Sequence, residues 1–448
     1  MKRKMFSVSL LLLALALVLA ACWDKNKAGP EGSPATDAKG YEASQGASAD
    51  KVTIKMMHLW PDVNNSAQNK LVKQIIGEYE QAHPNVKIEI EMLENEQYKN
   101  KIKVLSASNS LPDVGFTWAA GFLEPYVKGR LFAPLDDLLQ DELKNKFVAG
   151  TTEAYAMDGQ TYALPVELNI VPVYYNKEIF ARYRLQPPQT YEEFKNIIRT
   201  LNEHNVTPVA LGSKDAWTGS IWYMYLADRI GGPDVQDQAV AHSSFSDPTL
   251  LEAAREAQAL VNSNAFIKGF NGLSNEEAKA EFMNGKAAMY AMGTWEVPNY
   301  TTNPDIPKAF KDKIGFFKFP IVEGGKGNVN DWVGGVGVGL FVSENSKVKE
   351  DAKKFVSFFV QRWGELSVTD AGIIPGTKVD TSSVELPQMF KDVLNELNNA
   401  NKVILYLDVQ MKPVASEEHR NLIQALLGNA LTPEEFVKKQ EEVLKAGK

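Results

Sequence analysis

A chain of 448 residues with 44% hydrophobic and 23% charged residues is globular in composition and long enough for two or three domains of ~100–200 residues each. Its formal charge is −8, with 56 acidic against 48 basic residues, and it has no basic run beyond its first residues; that balance argues against nucleic acid and anionic lipid and favours neutral or cationic soluble partners. The single cysteine, Cys22, excludes a disulfide within the chain.

Lys2, Arg3 and Lys4 precede an almost wholly apolar stretch, Met5 to Val18, followed by Leu19-Ala20-Ala21-Cys22. A charged start, a short apolar core and small residues before a cut read as an export signal over residues 1–21. The span is too short for a comfortable transmembrane helix, which needs ~20 apolar residues. Leu-Ala-Ala-Cys resembles the bacterial lipobox, in which the cysteine is lipidated and becomes the mature N-terminus. Cys22 would then anchor the protein to the extracytoplasmic face of the cell membrane without spanning it. Loss of three basic residues with the signal takes the charge from −8 to −11. Residues 22–50 are rich in Gly, Ala, Ser, Lys and Asp and cannot bury enough apolar surface to order themselves, so they read as a lipidated, flexible tether.

At Val52 the composition changes. Val52, Ile54 and Met56 alternate as a strand does, and Trp60-Pro61-Asp62 follows in a loop. Leu71, Ile75 and Tyr79 recur at helical spacing until His83-Pro84-Asn85. Val86, Ile88, Ile90 and Met92 give a second strand, Tyr98, Ile102 and Leu105 a second helix, and Asp113 to Trp118 a third strand. Strand–helix–strand–helix–strand in ~65 residues implies a parallel sheet with helical crossovers. Met157-Asp158-Gly159-Gln160 is a turn leading into Tyr162 to Glu167. Ile170 to Tyr175 is a fresh apolar run, Thr190 with Glu193 caps a helix, and Pro208 to Leu211 is a strand before a loop holding Asp215 and Trp217.

Ser274 followed three residues later by Glu277 is a capping box, so a helix starts there and stops near Gly285. The run Ala287 to Met292 then suits a buried strand, with Thr294 and Trp295 at its C-terminal end, where ligands bind in α/β proteins. Gly293 has no side chain to block the approach to that indole. Ile314 to Pro320 is strand-like, Val333 to Val342 packs four glycines among valines, and Ala352, Phe355, Val356 and Phe359 form a helical face. The remainder reads as helical, with Thr432-Pro433-Glu434-Glu435 a helix start.

Eight tryptophans are present. Trp60, Trp118, Trp217 and Trp295 directly follow an apolar run or sit in the loop after one, and Trp332 is added from its loop placement; Trp222 reads as core and Trp363 ends an apolar helix. Indoles repeated at strand ends suit stacking on the C–H faces of pyranose rings. Asp62, Glu167, Asp215 and Asp331 lie beside these aromatics, and a carboxylate can accept two adjacent sugar hydroxyls. A pair such as Asp62 and Glu167 could equally serve a glycosidase. Other catalysis finds no support: the five histidines are scattered, and there is no His-Glu-x-x-His, nucleophile elbow or Walker loop. No metal, catalytic residue or cofactor is expected.

Several segments together resemble the family 1 extracellular solute-binding proteins, the lipoprotein receptors of carbohydrate ABC importers. They are Tyr79 to Val86, Leu111-Pro112-Asp113-Val114, Tyr174-Tyr175-Asn176-Lys177, Pro188 to Phe194, Phe282 to Met289 with Gly293-Thr294-Trp295, and Ile373-Ile374-Pro375-Gly376. The resemblance implies a two-lobe periplasmic-binding-protein-like α/β fold, each lobe a mainly parallel sheet flanked by helices. Three hinge crossings are expected near Pro165–Glu167, Phe319–Pro320 and Ile373–Pro375. The lobes would be 51–166 with 320–373, and 167–319 with 374–448. It further implies cleft positions at Asp62, Trp118, Glu167, Asp215, Trp217 and Trp295, with Trp60 and Trp332 kept from loop placement. The expected function is capture of an oligosaccharide by lobe closure and delivery to ABC permease subunits by a monomeric receptor. A secreted glycoside hydrolase and a receptor for a non-sugar solute are the alternatives.

Overall fold

The computed structural model describes residues 51–62, 66–381 and 384–446; the export signal, Cys22 and the tether lie outside the described residues. In chain order the strands are β1 (Val52–His58), β2 (Val86–Met92), β3 (Val114–Thr117), β4 (Ala156–Met157), β5 (Gln160–Thr161), β6 (Leu164–Pro165) and β7 (Leu168–Ile170). They continue as β8 (Val173–Asn176), β9 (Thr207–Ala210), β10 (Ala287–Ala291), β11 (Ile314–Phe317), β12 (Asp331–Val336), β13 (Gly339–Val342) and β14 (Lys402–Leu405).

The first sheet grows from the alternation read in the sequence. β1 and β2 run parallel, Val52 facing Val86 and His58 facing Met92, with Ile54, Met56 and Ile88 turned into the core and Lys55 and Lys87 outward. The helix Ser66–Ala82 makes the crossover and buries Leu71, Val72, Ile75 and Tyr79. The helix Asn95–Ala107 makes the next, burying Tyr98 and Ile102, and β3 joins β1 in parallel. β13 and β6 complete the order β2-β1-β3-β13-β6 through antiparallel pairs. The helix Lys349–Leu366 covers this sheet with Ala352, Phe355, Val356 and Phe359, all fully buried.

The second sheet has the order β11-β8-β10-β9. Here only β10 and β9 are parallel, and β8 runs against both β10 and β11. The expectation of a mainly parallel sheet fails in this lobe because burial pattern reports which faces are covered, not strand direction; every residue of β10 is buried. A third, small sheet, β14-β12-β7, sits where the chain passes between lobes. Both expected capping boxes are present, Thr190 with Glu193 and Ser274 with Glu277. Trp222 is core, edge-on to Phe266 and Phe319.

Apolar side chains gather on two sides. One core draws on residues 54–166 and 336–373, with Val409 added, and includes Trp363; the other side holds two clusters drawn almost wholly from residues 170–333 and 374–444. Between them the chain crosses in three neighbouring segments stitched by backbone hydrogen bonds. Val166 N donates to Val338 O at 3.0 Å and Gly337 N to Glu167 O at 2.9 Å, while Leu168 N donates to Ile374 O at 3.0 Å and Gly376 N to Val166 O at 2.9 Å. The second crossing is therefore at 336–339, not near Phe319–Pro320. Phe319 stacks flat on Tyr225 at 4.7 Å inside the second lobe, and β12 pairs with β7 and β14 before the chain reaches the first sheet.

Candidate functional site

Residues that follow β1, β3, β9, β10 and β14 line one cavity of about 1070 Å³, open solvent at its mouth included. This is the carboxyl-end placement expected of ligand sites on open α/β sheets. From the first lobe come Trp60 and Trp118; from the second, Asp215, Trp217, Trp295 and Tyr406; Glu167 and Asn169 come from the first crossing and Gly337 from the second.

Each indole is held from behind. Trp60 stacks on Trp363 at 5.0 Å and meets Phe116 edge-on at 4.8 Å. Its carbonyl accepts the Asn69 amide at 2.6 Å. Trp118 lies edge-on to Phe122 at 4.9 Å. Trp217 and Trp295 meet edge to face, centroids 6.1 Å apart, and Trp295 lies 6.4 Å from the Tyr406 ring. A Cβ on Gly293 would fall 2.1 Å from the Trp295 ring, so glycine is what lets the indole fold back over its own strand end. The Lys99 ammonium sits 4.9 Å from the Trp118 ring centre and 5.8 Å from that of Trp217, spanning the two lobes.

Polar groups fill the rest. The Asp215 carboxylate accepts from Asn275 N at 2.7 Å, at the first turn of the helix Asn275–Met283. Burial pushes its carboxyl up to about 6, against the pull of that N–H. Glu167 is 4% exposed, and its Oε1 has no hydrogen-bond partner. Burial raises this carboxyl to about 7, with the Asn169 amide opposing. A Cβ on Gly337 would reach within 3.3 Å of Glu167 Oε2 and 2.5 Å of Asn169 Nδ2, so the glycine leaves room for both. The cations are engaged: Lys99 with Glu96 at 2.7 Å, Arg420 with Asp408 at 3.4 Å, and Lys279 behind the lining with Glu276 at 2.7 Å and Glu296 at 3.3 Å.

Glu167 carries a testable pH dependence. The folded protein holds this proton up to about 7, whereas an ordinary glutamate loses it near 4.5. The folded state therefore binds more protons in that window, stability falls as pH rises through it, and the full penalty applies above it. Glu167→Gln is expected to raise the unfolding free energy of the ligand-free protein by about 1–2 kcal/mol at pH 8 and by much less at pH 4. Urea denaturation at both pH values checks this; equal gains would contradict it.

Six of the eight expected binding positions thus meet at one cavity: Trp60, Trp118, Glu167, Asp215, Trp217 and Trp295. Two do not. Asp62 lies in the turn after β1, its side chain 59% exposed and ion-paired with Lys73 at 2.9 Å. Trp332 is 1% exposed in β12, inside the cluster that holds Tyr174 and Tyr300. It is a strand residue opposite Val403, so the loop placement that brought it forward does not hold. The sequence reading missed Glu94, Asn95 and Lys99, although Glu94 and Asn95 follow β2 by the same strand-end rule. It also missed Asn275 and Glu276, at the start of the helix capped by Ser274, Glu296, next to Trp295, and Tyr406, Asp408 and Arg420, because β14 was hidden in a region read as helical.

Residues 64–361 match the family model described as bacterial extracellular solute-binding protein. The chain is similar to the multiple sugar-binding protein of Streptococcus mutans, 26% identical over 71% of this chain and 73% of that one. It is also similar to the melibiose/raffinose/stachyose-binding protein MelE of Bacillus subtilis, 22% identical over 82% and 83%. Among solved structures, one from work on xylan utilization by the thermophilic bacterium Caldanaerobius polysaccharolyticus superposes with a TM-score of 0.82 at 32% identity, covering 87% of this chain and 99% of that one. A chitin oligosaccharide binding protein follows with a TM-score of 0.80 at 26% identity, covering 89% and 99%. The family match over most of the chain, and the two-lobed fold it shares with these structures, place it: this chain belongs to the bacterial extracellular solute-binding proteins.

Proposed function

We propose that the chain is the extracellular receptor of an ABC sugar importer, capturing an oligosaccharide between its lobes and delivering it to the permease. The observation that carries this is the convergence of four indoles, Trp60 and Trp118 from one lobe with Trp217 and Trp295 from the other, on one cavity. Flat apolar faces match the C–H faces of pyranose rings, and the carboxylates beside them accept hydroxyls. Several aromatic faces favour a ligand of several rings over a monosaccharide. The relatives named for sugars and the xylan and chitin oligosaccharide structures point to the same ligand class.

Capture works by population shift. Sugar first meets one lobe, and contacts from the second stabilise the closed form. Cross-lobe contacts support such closure: Gln68 donates to the Trp295 carbonyl at 3.2 Å, and Lys70 pairs with Asp305 at 2.9 Å. No covalent step is needed. The one pair singled out for hydrolysis, Asp62 with Glu167, is not assembled, since Asp62 stands outside the cavity. The receptor works as a monomer held by a lipid on Cys22 at the extracytoplasmic membrane face. Among the described residues no helix is long and apolar enough to cross a membrane.

A thermal-shift screen over xylo-, gluco-, galacto- and chito-oligosaccharides tests the reading. At least one series should raise the melting temperature, and the recovered glycan should keep its length. Shortened products would replace the receptor by a hydrolase. With the ligand in hand, Asp62→Asn should leave affinity within about 0.5 kcal/mol of wild type, as for an exposed ion pair; a larger loss in calorimetry would return Asp62 to the site.

A further inference from the structure

We infer that this cavity sorts glycans by charge, taking uncharged oligosaccharides and turning away those that carry a carboxylate or phosphate; the inference rests on the oligosaccharide reading above. The lining holds six carboxyl groups, Glu94, Glu167, Asp215, Glu276, Glu296 and Asp408, and two cations, Lys99 and Arg420. Both cations already have acidic partners, Glu96 and Asp408. Lys279 behind them is shared between Glu276 and Glu296. An anionic substituent would therefore have to compete with an acidic partner already in place at each of these three cations. An incoming anion meets an excess of four acidic groups in a space walled by indoles, where low dielectric strengthens repulsion. Like-charge placement of this kind is how binding surfaces suppress wrong partners.

Glu167 gives the independent sign of what is accepted. Its side chain lines the cavity, and its buried Oε1 lacks a hydrogen-bond donor. A sugar hydroxyl supplies a donor; an ionised carboxylate or phosphate oxygen supplies only another acceptor. The same oxygen that orients a neutral ring thus repels a uronate.

The test compares partners matched in shape. Whichever neutral oligosaccharide binds is oxidised at its reducing end to the aldonate and converted, separately, to the aldonamide. Calorimetry at pH 8 and low salt should find the amide at least about tenfold tighter than the acid. The gap should narrow in 1 M NaCl, where screening acts within ~3 Å, and narrow about threefold in Glu276→Gln. A phosphorylated glycan should bind no better than the aldonate. Equal affinity of acid and amide overturns the inference, as does equal loss of both, because shape and not charge then decides. Absence of binding by every neutral oligosaccharide is a different failure, that of the receptor reading itself.

Discussion

Replacing Trp332 with alanine is expected to lower the unfolding free energy by about 3–5 kcal/mol, the range for deleting a large aromatic from a core. The ring is 1% exposed within the cluster of Tyr174, Tyr290 and Tyr300, and β12, which carries it, is the central strand of the small sheet beside the crossings. The indole N–H has no acceptor, so part of the packing gain is offset by a buried, unpaired donor. Trp332→Phe removes that donor, keeps much of the ring, and is expected to cost less than half as much. Urea denaturation reads both variants. Affinity of the folded fraction for its glycan should change less than about threefold, because the ring does not reach the cavity. A loss below about 1 kcal/mol in Trp332→Ala would contradict this placement.

Trp295→Ala is expected to do the reverse, weakening oligosaccharide binding by roughly 1–3 kcal/mol, as for an aromatic anchor, with a smaller effect on folding. The ring is partly exposed to the cavity, backed by Gly293 and flanked by Trp217 and Tyr406. Truncation removes one stacking face and loosens the edge contact that orients Trp217. Its backbone carbonyl still accepts from Gln68, so the cross-lobe contact survives the change. Calorimetric titration beside a denaturation curve separates the two effects, and unchanged affinity in a folded variant would refute the assignment.

What the sequence disclosed follows from what local pattern can encode. The β1-to-β3 unit was legible because its alternation is strict and its helices are amphipathic. The helix at Asn275 was legible because its cap is chemical, a serine and a glutamate three residues apart. Trp118 and Trp295 were placed at strand ends because the first directly follows β3 and the second lies in the turn just after β10. β14 was not, since four residues between helices carry no period that separates strand from helix; with it went Tyr406, Asp408 and Arg420. Strand direction in the second sheet and the crossing at 336–339 depend on distant pairing, which no local window contains. The loop reading sets Trp332 before the Val333 run, whereas β12 already begins at Asp331. Paired with β14 and β7, β12 is buried on both faces, a burial that only distant pairing reveals.

The measurement that bears most directly on the account is calorimetric titration of the mature protein with neutral oligosaccharides of increasing length. Saturable binding of one glycan per chain, tightening from one ring to several and lost in large part in Trp295→Ala, is the predicted result. Failure of every neutral oligosaccharide to saturate the protein, with the same indoles intact and the chain folded, would contradict it.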